Sequence, residues 1–202
     1  MEHTRLLTGS LRASPMGETI ARVLAAALAA VEPAAAVARH LRRDGDLLLA
    51  GDRAIDLRAV GRVIVVGAGK AGEPMARAAA AILGDRLSAG LVVVKDGHLG
   101  EGPVERVRLV EAGHPVPDER GVAAARELAA LLGGLGPDDL VLALISGGGS
   151  ALLTLPAEGV ALGDLQALTE ALLASGASIG EINTLRKHLD RVKGGGLARL
   201  AH

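Results

Sequence analysis

Arg62-Val63-Ile64-Val65-Val66 leads directly into Gly67-Ala68-Gly69-Lys70-Ala71-Gly72. An apolar, β-branched run that ends in glycines is typical of a buried parallel strand that feeds a helix. The glycines allow a tight turn with exposed N–H groups, the helix adds the positive end of its dipole, and Lys70 adds a full charge. This junction therefore predicts a binding site for an anionic group, either phosphate or carboxylate.

The same glycine turn also fits the dinucleotide pattern G-x-G-x-x-G, and Asp96 follows the next strand at about the spacing of a ribose-binding acid. Lys70 inside the turn and Lys95 beside Asp96 disfavour a nicotinamide enzyme, because nicotinamide-binding turns usually keep small residues. Lys70 is followed by Ala71 rather than Ser or Thr, so the turn is not a Walker A loop. The third interpretation is a purely structural turn between strand and helix, in which the glycines serve the backbone conformation and no ligand binds.

The composition indicates a globular protein that binds small polar molecules. The chain has 202 residues, half of them apolar, with a net charge of -1 and interspersed charges, so we expect neither nucleic-acid nor membrane binding. It has no cysteine, which excludes disulfides and thiolate chemistry and fits a cytoplasmic location. It also lacks Phe, Tyr and Trp, so a bound nucleotide base would lie between aliphatic side chains.

The hydrophobic pattern predicts an α/β fold. We expect a three-layer sandwich with a mostly parallel, Rossmann-like sheet and helices on both faces, because apolar runs alternate with helical patterns. An N-terminal helical pair precedes this core, and Pro33 opens its second helix. We place the pair at residues 1–44 and the core at residues 60–202. The predicted strands are residues 63–66, 91–94, 107–110 and 140–145, and the predicted helices are residues 73–83, 121–132, 164–174 and 179–192.

Four polar or glycine-rich loops follow the predicted strands, at residues 67–72, 96–98, 114–118 and 146–150. Ligands of parallel sheets collect at the carboxyl ends of the strands, so we expect these loops to share one depression. The loop Ser146-Gly147-Gly148-Gly149-Ser150 resembles an anion cradle, although a plain flexible turn would have the same sequence. A serine nucleophile is disfavoured, because the loop lacks the G-x-S-x-G elbow.

A helix near the carboxyl end places Asn183, Arg186 and Lys187 on neighbouring faces. This basic face either binds phosphate or carboxylate or is simply solvated. Loop histidines such as His98 and His114 are more often hydrogen-bonding residues than metal ligands. The sequence has no H-x-x-x-H or similar cluster that would indicate a zinc site.

Five short motifs follow one another along the chain. They are V-V-G-A-G-K-A at residues 65–71, V-V-V-K-D-G-H at 92–98, E-A-G-H-P-V-P-D at 111–118, L-I-S-G-G-G-S-A-L-L at 144–153 and I-N-T-L-R-K-H-L at 182–189. In this order they resemble the glycerate 2-kinase family, the ATP-dependent glycerate kinases with a carboxyl-terminal MOFRL domain. The resemblance covers nearly the whole chain. Members of this family have also been labelled hydroxypyruvate reductases.

The resemblance implies transfer of the ATP γ-phosphoryl group to the 2-hydroxyl group of glycerate, with Mg²⁺, in a cleft between two domains. It implies catalytic roles for Lys70, which neutralises phosphate or carboxylate charge, and for Arg186. The general base is open between His114 and Asp118, and no metal ligand is assigned. The residues implied to bind substrate or phosphate are Gly67, Gly69, Ser146, Gly147, Gly148, Gly149, Ser150, Asn183, Lys187 and His114.

The family's members are considerably longer than this chain and continue beyond residues 193–198 into another strand, an acidic loop and the MOFRL domain. We therefore expect residues 1–202 to be an incomplete amino-terminal domain that does not turn over substrate alone. Its unsatisfied sheet edge would favour self-association as a homodimer. The alternatives are an NAD(P)-dependent hydroxypyruvate reductase and a non-catalytic anion-binding module, and Lys70 together with the loop at residues 146–150 favours the kinase.

Overall fold

The computed structural model describes residues 2–201, and the chain begins with short helices and a small antiparallel sheet. The predicted helical pair is present as α2 (Gly17–Ala30) and α3 (Pro33–His40). Glu32 accepts hydrogen bonds from the first N–H groups of α3, with Pro33 at its start. A strand around Leu48 is the middle one of three antiparallel strands. The elements are α1 (Gly9–Arg12), α2 (Gly17–Ala30), α3 (Pro33–His40), β1 (Leu41–Asp44), β2 (Leu47–Ala50) and β3 (Arg53–Asp56).

A parallel sheet with helices on both faces forms the core, as the hydrophobic pattern predicts. Four strands pair side by side in the order β6 (Val107–Ala112), β5 (Leu87–Lys95), β4 (Val63–Ala68) and β7 (Leu140–Ile145). Asp118 starts α5 by accepting a hydrogen bond from the N–H group of Gly121 at 3.1 Å. The elements are β4 (Val63–Ala68), α4 (Gly72–Leu83), β5 (Leu87–Lys95), β6 (Val107–Ala112), α5 (Glu119–Gly133) and β7 (Leu140–Ile145).

The rest of the chain is helical. It consists of α6 (Gly149–Leu152), α7 (Leu162–Ala174), α8 (Ile179–His188) and α9 (Gly196–Leu200). The pattern predicts a helix that continues from residue 179 to 192, but α8 ends at His188 and the chain turns back along Leu155. Within residues 2–201 no single helix is long and apolar enough to cross a membrane, although α2 and α3, bent by 50°, together reach that length and composition.

Strand β4 is the centre of the sheet. All six of its residues are buried, and it pairs in parallel with β5 on one side and with β7 on the other. The chain leaves β4 toward β5 and later returns to the other side of β4 as β7, so the strand order reverses between β4 and β7. Ligands of open α/β sheets bind at such a reversal, beyond the carboxyl ends of the strands.

Two apolar layers cover the two faces of this sheet. One layer packs α4, α3 and the small antiparallel sheet against Val63, Val65 and Val92. The other packs α5, α6 and α9 against Ile64, Val66 and Val93. Fully burying one such side chain contributes about 1.5–3 kcal/mol to the free energy of folding. Many buried aliphatic side chains therefore stabilise this core, which has no Phe, Tyr or Trp.

The two edges of the sheet differ in charge. Strand β6 carries Arg108 and Glu111, and charged residues on an edge strand oppose pairing with another chain. Strand β7 is entirely apolar, its Ile145 is 55% exposed, and an apolar groove of about 510 Å³ runs between β7, α3 and the antiparallel sheet. The unprotected edge of the sheet is therefore β7.

Gly67→Ala is expected to destabilise the fold by about 1–3 kcal/mol, because overpacking a filled core costs that much. A Cβ atom at Gly67 would collide with the carbonyl oxygen of Leu144 on β7. Urea unfolding measures the change. Gly133→Ala is the matched control, since no atom lies within 4 Å of its added Cβ, and it should leave stability unchanged or slightly higher. Equal unfolding midpoints for the two variants would contradict the close packing of β4 on β7.

Candidate functional site

The turn after β4 and the loop after β7 are joined through their backbones. The N–H group of Lys70 donates to the carbonyl of Gly147 at 2.9 Å, and the N–H group of Ala71 donates to Oγ of Ser146 at 3.1 Å. Gly69, with φ of +145°, lies where a Cβ would collide with Ser146. Both loops therefore depend on glycine and on the Ser146 hydroxyl for their contact.

Lys70 and His114 both lie against Gly148. A Cβ built on Gly148 would be 3.2 Å from Nε2 of His114 and 3.3 Å from Cγ of Lys70, and Gly148 has φ of +91°. Over residues 2–201, the N–H groups of Gly147 and Gly148 have no hydrogen-bond acceptor. Free backbone N–H groups beside two cationic or basic side chains form a place for an anion.

His98 fixes the start of this arrangement. Its Nδ1 lies 2.9 Å from the backbone carbonyl of Lys70, which ties the loop after β5 to the turn after β4.

Burial and the positive charges of Lys70 and Lys95 hold the pKa of His114 below its usual value. The imidazole of His114 is therefore mainly neutral at neutral pH.

The nearby carboxylates are engaged elsewhere. Arg120 binds both oxygens of Asp96, at 2.7 and 2.8 Å, and also contacts Asp118 at 2.6 Å. Glu111 accepts a hydrogen bond from the N–H group of Gly97 at 2.7 Å. The side-chain hydrogen bond from Arg120 holds the pKa of Asp96 below its usual value, so Asp96 stays charged and paired. None of these three carboxylates forms an ion pair with Lys70, whose charge beside Gly148 is left for a ligand.

A groove of about 430 Å³ lies next to this cluster, on the side of α8. Its polar lining comes from Ser150, Asn183, Arg186, Lys187 and Lys193, over an apolar floor that includes Ile145 and Leu153. The guanidinium group of Arg186 donates to the carbonyl of Ser150 at 3.0 Å, and burial holds the pKa of Arg186 below its usual value. The groove has the volume of a small-molecule site.

A buried ion pair holds the groove together. Asp190 is 5% exposed, pairs with Lys193, and accepts hydrogen bonds from the N–H groups of Leu155 and Val192 at 3.3 and 3.0 Å. Lys193 also donates to the carbonyl of Leu153 at 3.0 Å. Burial lowers the pKa of Lys193, while Asp190 opposes that shift. With its ammonium group held in this way, Lys193 positions the wall of the groove.

The structure divides the residues predicted for the site into two neighbouring groups. Lys70, His114 and Gly148 meet directly, with Gly69, Ser146 and Gly147 in the same pair of loops. The second group lines the groove and consists of Gly149, Ser150, Asn183, Arg186 and Lys187. Gly67 lies inside β4, where its missing side chain permits close packing on β7. Gly149 contributes in a similar way, since its added Cβ would be 2.9 Å from the carbonyl of Ala68.

The sequence interpretation did not include Asp190 and Lys193 in the site. Their i, i+3 spacing and opposite charge are the available signal, but this spacing also occurs on solvated surfaces. Within residues 2–201, no group of three or more His, Asp or Glu side chains could hold a metal ion. The described residues thus supply cations and backbone donors for an anion, and they do not supply a metal centre.

Comparison with known proteins gives both a family and named relatives. Residues 19–202 match the family described as "Domain of unknown function (DUF4147)". A protein of Agrobacterium vitis with the provisional name hydroxypyruvate reductase is 46% identical over 184 residues, which are 91% of this chain and 38% of that protein. The D-glycerate 2-kinase of Thermotoga maritima is 54% identical over 137 residues, which are 68% of this chain and 33% of that protein.

A crystal structure of a protein from Pyrococcus horikoshii OT3 has the same fold, with a TM-score of 0.81 and 41% identity over 89% of this chain and 40% of that chain. The chain therefore spans about two-fifths of the length of these relatives, or less. The α/β fold class and the family resemblance carried by the five motifs are confirmed.

Asp190→Ala is expected to destabilise the protein by about 3–5 kcal/mol, because it leaves the buried ammonium group of Lys193 unpaired. Chemical denaturation measures the loss. Asp52→Ala, in the exposed turn between β2 and β3, should change stability by no more than about 0.5 kcal/mol. Adding Lys193→Met to Asp190→Ala should recover part of the loss, and a double variant no more stable than the single one would argue against the ion pair as its cause.

Proposed function

The chain belongs to the DUF4147 family, and from that premise we propose that it forms the phosphate-binding part of a glycerate 2-kinase. In the proposed reaction, the bond between the γ-phosphorus and the β–γ bridging oxygen of ATP breaks, and a bond forms between that phosphorus and the 2-hydroxyl oxygen of glycerate. The hydroxyl proton leaves and the products are ADP and 2-phosphoglycerate. ATP and glycerate are the proposed ligands.

The contact between the turn after β4 and the loop after β7 is the observation that carries this proposal. In a dinucleotide-binding fold, the pyrophosphate lies on the helix N-terminus that follows the first strand. Here the N–H groups of Lys70 and Ala71 at that place already donate to Gly147 and Ser146. Lys70 instead projects a charge beside the free N–H groups of the loop, which suits a terminal phosphoryl group or a small carboxylate.

Phosphoryl transfer depends mainly on positioning and charge neutralisation. We assign Lys70 to neutralising the charge of the transferred group or the substrate carboxylate, and the N–H groups of Gly147 and Gly148 to its oxygens. Arg186 and Lys187 line the adjacent groove and hold anionic oxygens of the second ligand. Arg186 also fixes the loop through the carbonyl of Ser150, so it both orients the groove and contributes positive charge.

Within residues 2–201 no cluster of three or more acidic or histidine side chains could hold a metal ion without the substrate. Magnesium bound by kinases usually keeps several waters and is held by one or two carboxylates together with substrate phosphates. Although the family resemblance implies Mg²⁺, we assign none of the roles above to a metal.

The second candidate function is an NAD(P)-dependent hydroxypyruvate reductase, which the name of the Agrobacterium vitis relative favours. The pairing of Asp96 speaks against it. Both oxygens of that carboxylate bind Arg120, whereas a ribose-binding acid must accept hydrogen bonds from the ribose hydroxyls. We further propose a cytoplasmic protein, with β7 as the contact surface if it forms a homodimer.

Lys70→Ala is expected to lower ATP-dependent phosphorylation of glycerate by roughly two to three orders of magnitude, as loss of an electrostatic contact to a transition state does. The assay couples ADP formation to a spectroscopic signal in the full gene product that carries this sequence. Arg53→Ala, on the exposed strand β3, is the control and should retain normal turnover. Near-normal turnover by the Lys70 variant would remove Lys70 from the active site.

Cofactor use separates the two candidate functions. The full gene product should consume ATP in the presence of glycerate and Mg²⁺ and should not oxidise NADH or NADPH with hydroxypyruvate. The 202-residue chain alone should do neither at a useful rate. Robust oxidation of the nicotinamide would overturn the kinase proposal, and rapid ATP consumption by the short chain would show that the chain is catalytically complete.

A further inference from the structure

Four groups that are cationic when protonated lie near one another, and two of them, Lys70 and His114, lie against Gly148. The four groups are Lys70 from the turn after β4, Lys95 and His98 from the end of β5, and His114 from the loop after β6. Within residues 2–201 neither lysine forms an ion pair, and the ring of His114 has no hydrogen bond to another residue. The cluster therefore has unused capacity for negative charge.

The carboxylates on the surrounding elements compensate that charge only in part. Asp96, beside Lys95, and Asp118, on the His114 loop, are both bound by Arg120. Glu111, at the end of β6, is held by the N–H group of Gly97. Arg120 neutralises the two aspartates, whereas Glu111 keeps its negative charge, so the four protonatable groups of the cluster still have capacity for the charge of an incoming anion.

We propose that a tetrahedral dianion bound over Gly148 draws one proton from solvent onto His114, so that His114 and Lys70 hold the anion together and binding tightens as the pH falls. This inference rests on the proposed function, because the anion site is the phosphate site of that proposal. It adds proton-linked binding to the same site.

The direction of the pH dependence follows from the two states of His114. In the free protein, burial, Lys70 and Lys95 hold the pKa of His114 below its usual value of about 6.5. A bound dianion stabilises the imidazolium form, so the pKa of His114 is higher in the complex. Affinity therefore rises as the pH falls through the pKa of the complex, and it levels off below the pKa of the free protein.

Sulfate is the suitable probe, because it has the shape and charge of a phosphoryl group and does not itself titrate between about pH 5 and 8. Sulfate binding to the 202-residue chain is measured by calorimetry at constant ionic strength across this range. The imidazole resonances are titrated by NMR with and without sulfate. We expect about a tenfold gain in affinity at the acidic end and a raised pKa for the His114 resonance, which corresponds to a shift of one unit.

His114→Asn and His114→Gln are expected to bind sulfate with weak, pH-independent affinity. His188→Asn is the matched control, since the His188 ring lies on α8 and forms a hydrogen bond with the carbonyl of Thr184. The sulfate affinity of this variant should depend on pH as it does in the unaltered chain. If the sulfate affinity does not change with pH, or if both His114 variants keep the pH dependence, the proton-linked binding is wrong while the anion site itself is still supported. No sulfate binding at any pH would overturn the anion site itself.

Discussion

The structure of the site depends on one backbone contact, in which the N–H group of Lys70 donates to the carbonyl of Gly147. This bond can form because Gly69 has no side chain where Ser146 lies, and because the Ser146 hydroxyl accepts the N–H group of Ala71. The Lys70–Gly147 hydrogen bond holds the loop after β7 against the turn after β4, at the place where the strand order reverses. Lys70, His114 and the free N–H groups of the loop then face one another, and the groove beside α8 continues from there.

Much of the fold could be predicted because β4, β7 and the second half of β5 (residues 91–94) are short apolar runs, which are typical of a parallel sheet. The prediction was incomplete where the signal was local and weak. Strands β1 and β3 are four residues long and rich in charge, so their sequence gives no alternation to detect. Helices α6 and α9 are also short, and glycine runs hide their starts.

The site was predictable to the extent that topology decides it. Parallel strands bring their carboxyl ends to one edge, so the meeting of Lys70, His114 and Gly148 follows from loop positions alone. Loop positions do not predict that Ser150 and Arg186 line a neighbouring groove, because this depends on the direction in which α6 leaves the loop. The pairing of Asp190 with Lys193 also required coordinates, since their burial comes from tertiary packing.

The unprotected β7 edge also sets how local stability varies across the sheet. Amide groups of β4 are hydrogen-bonded on both sides and buried, so they exchange with solvent hydrogen only through large-scale opening. Half of the amide groups of β7 point away from β4 and have no strand to pair with. Exchange should therefore be slow at the centre of the sheet and faster along β7, so the anion-binding loop follows a more labile edge strand and is tied through Lys70 to the rigid central strand.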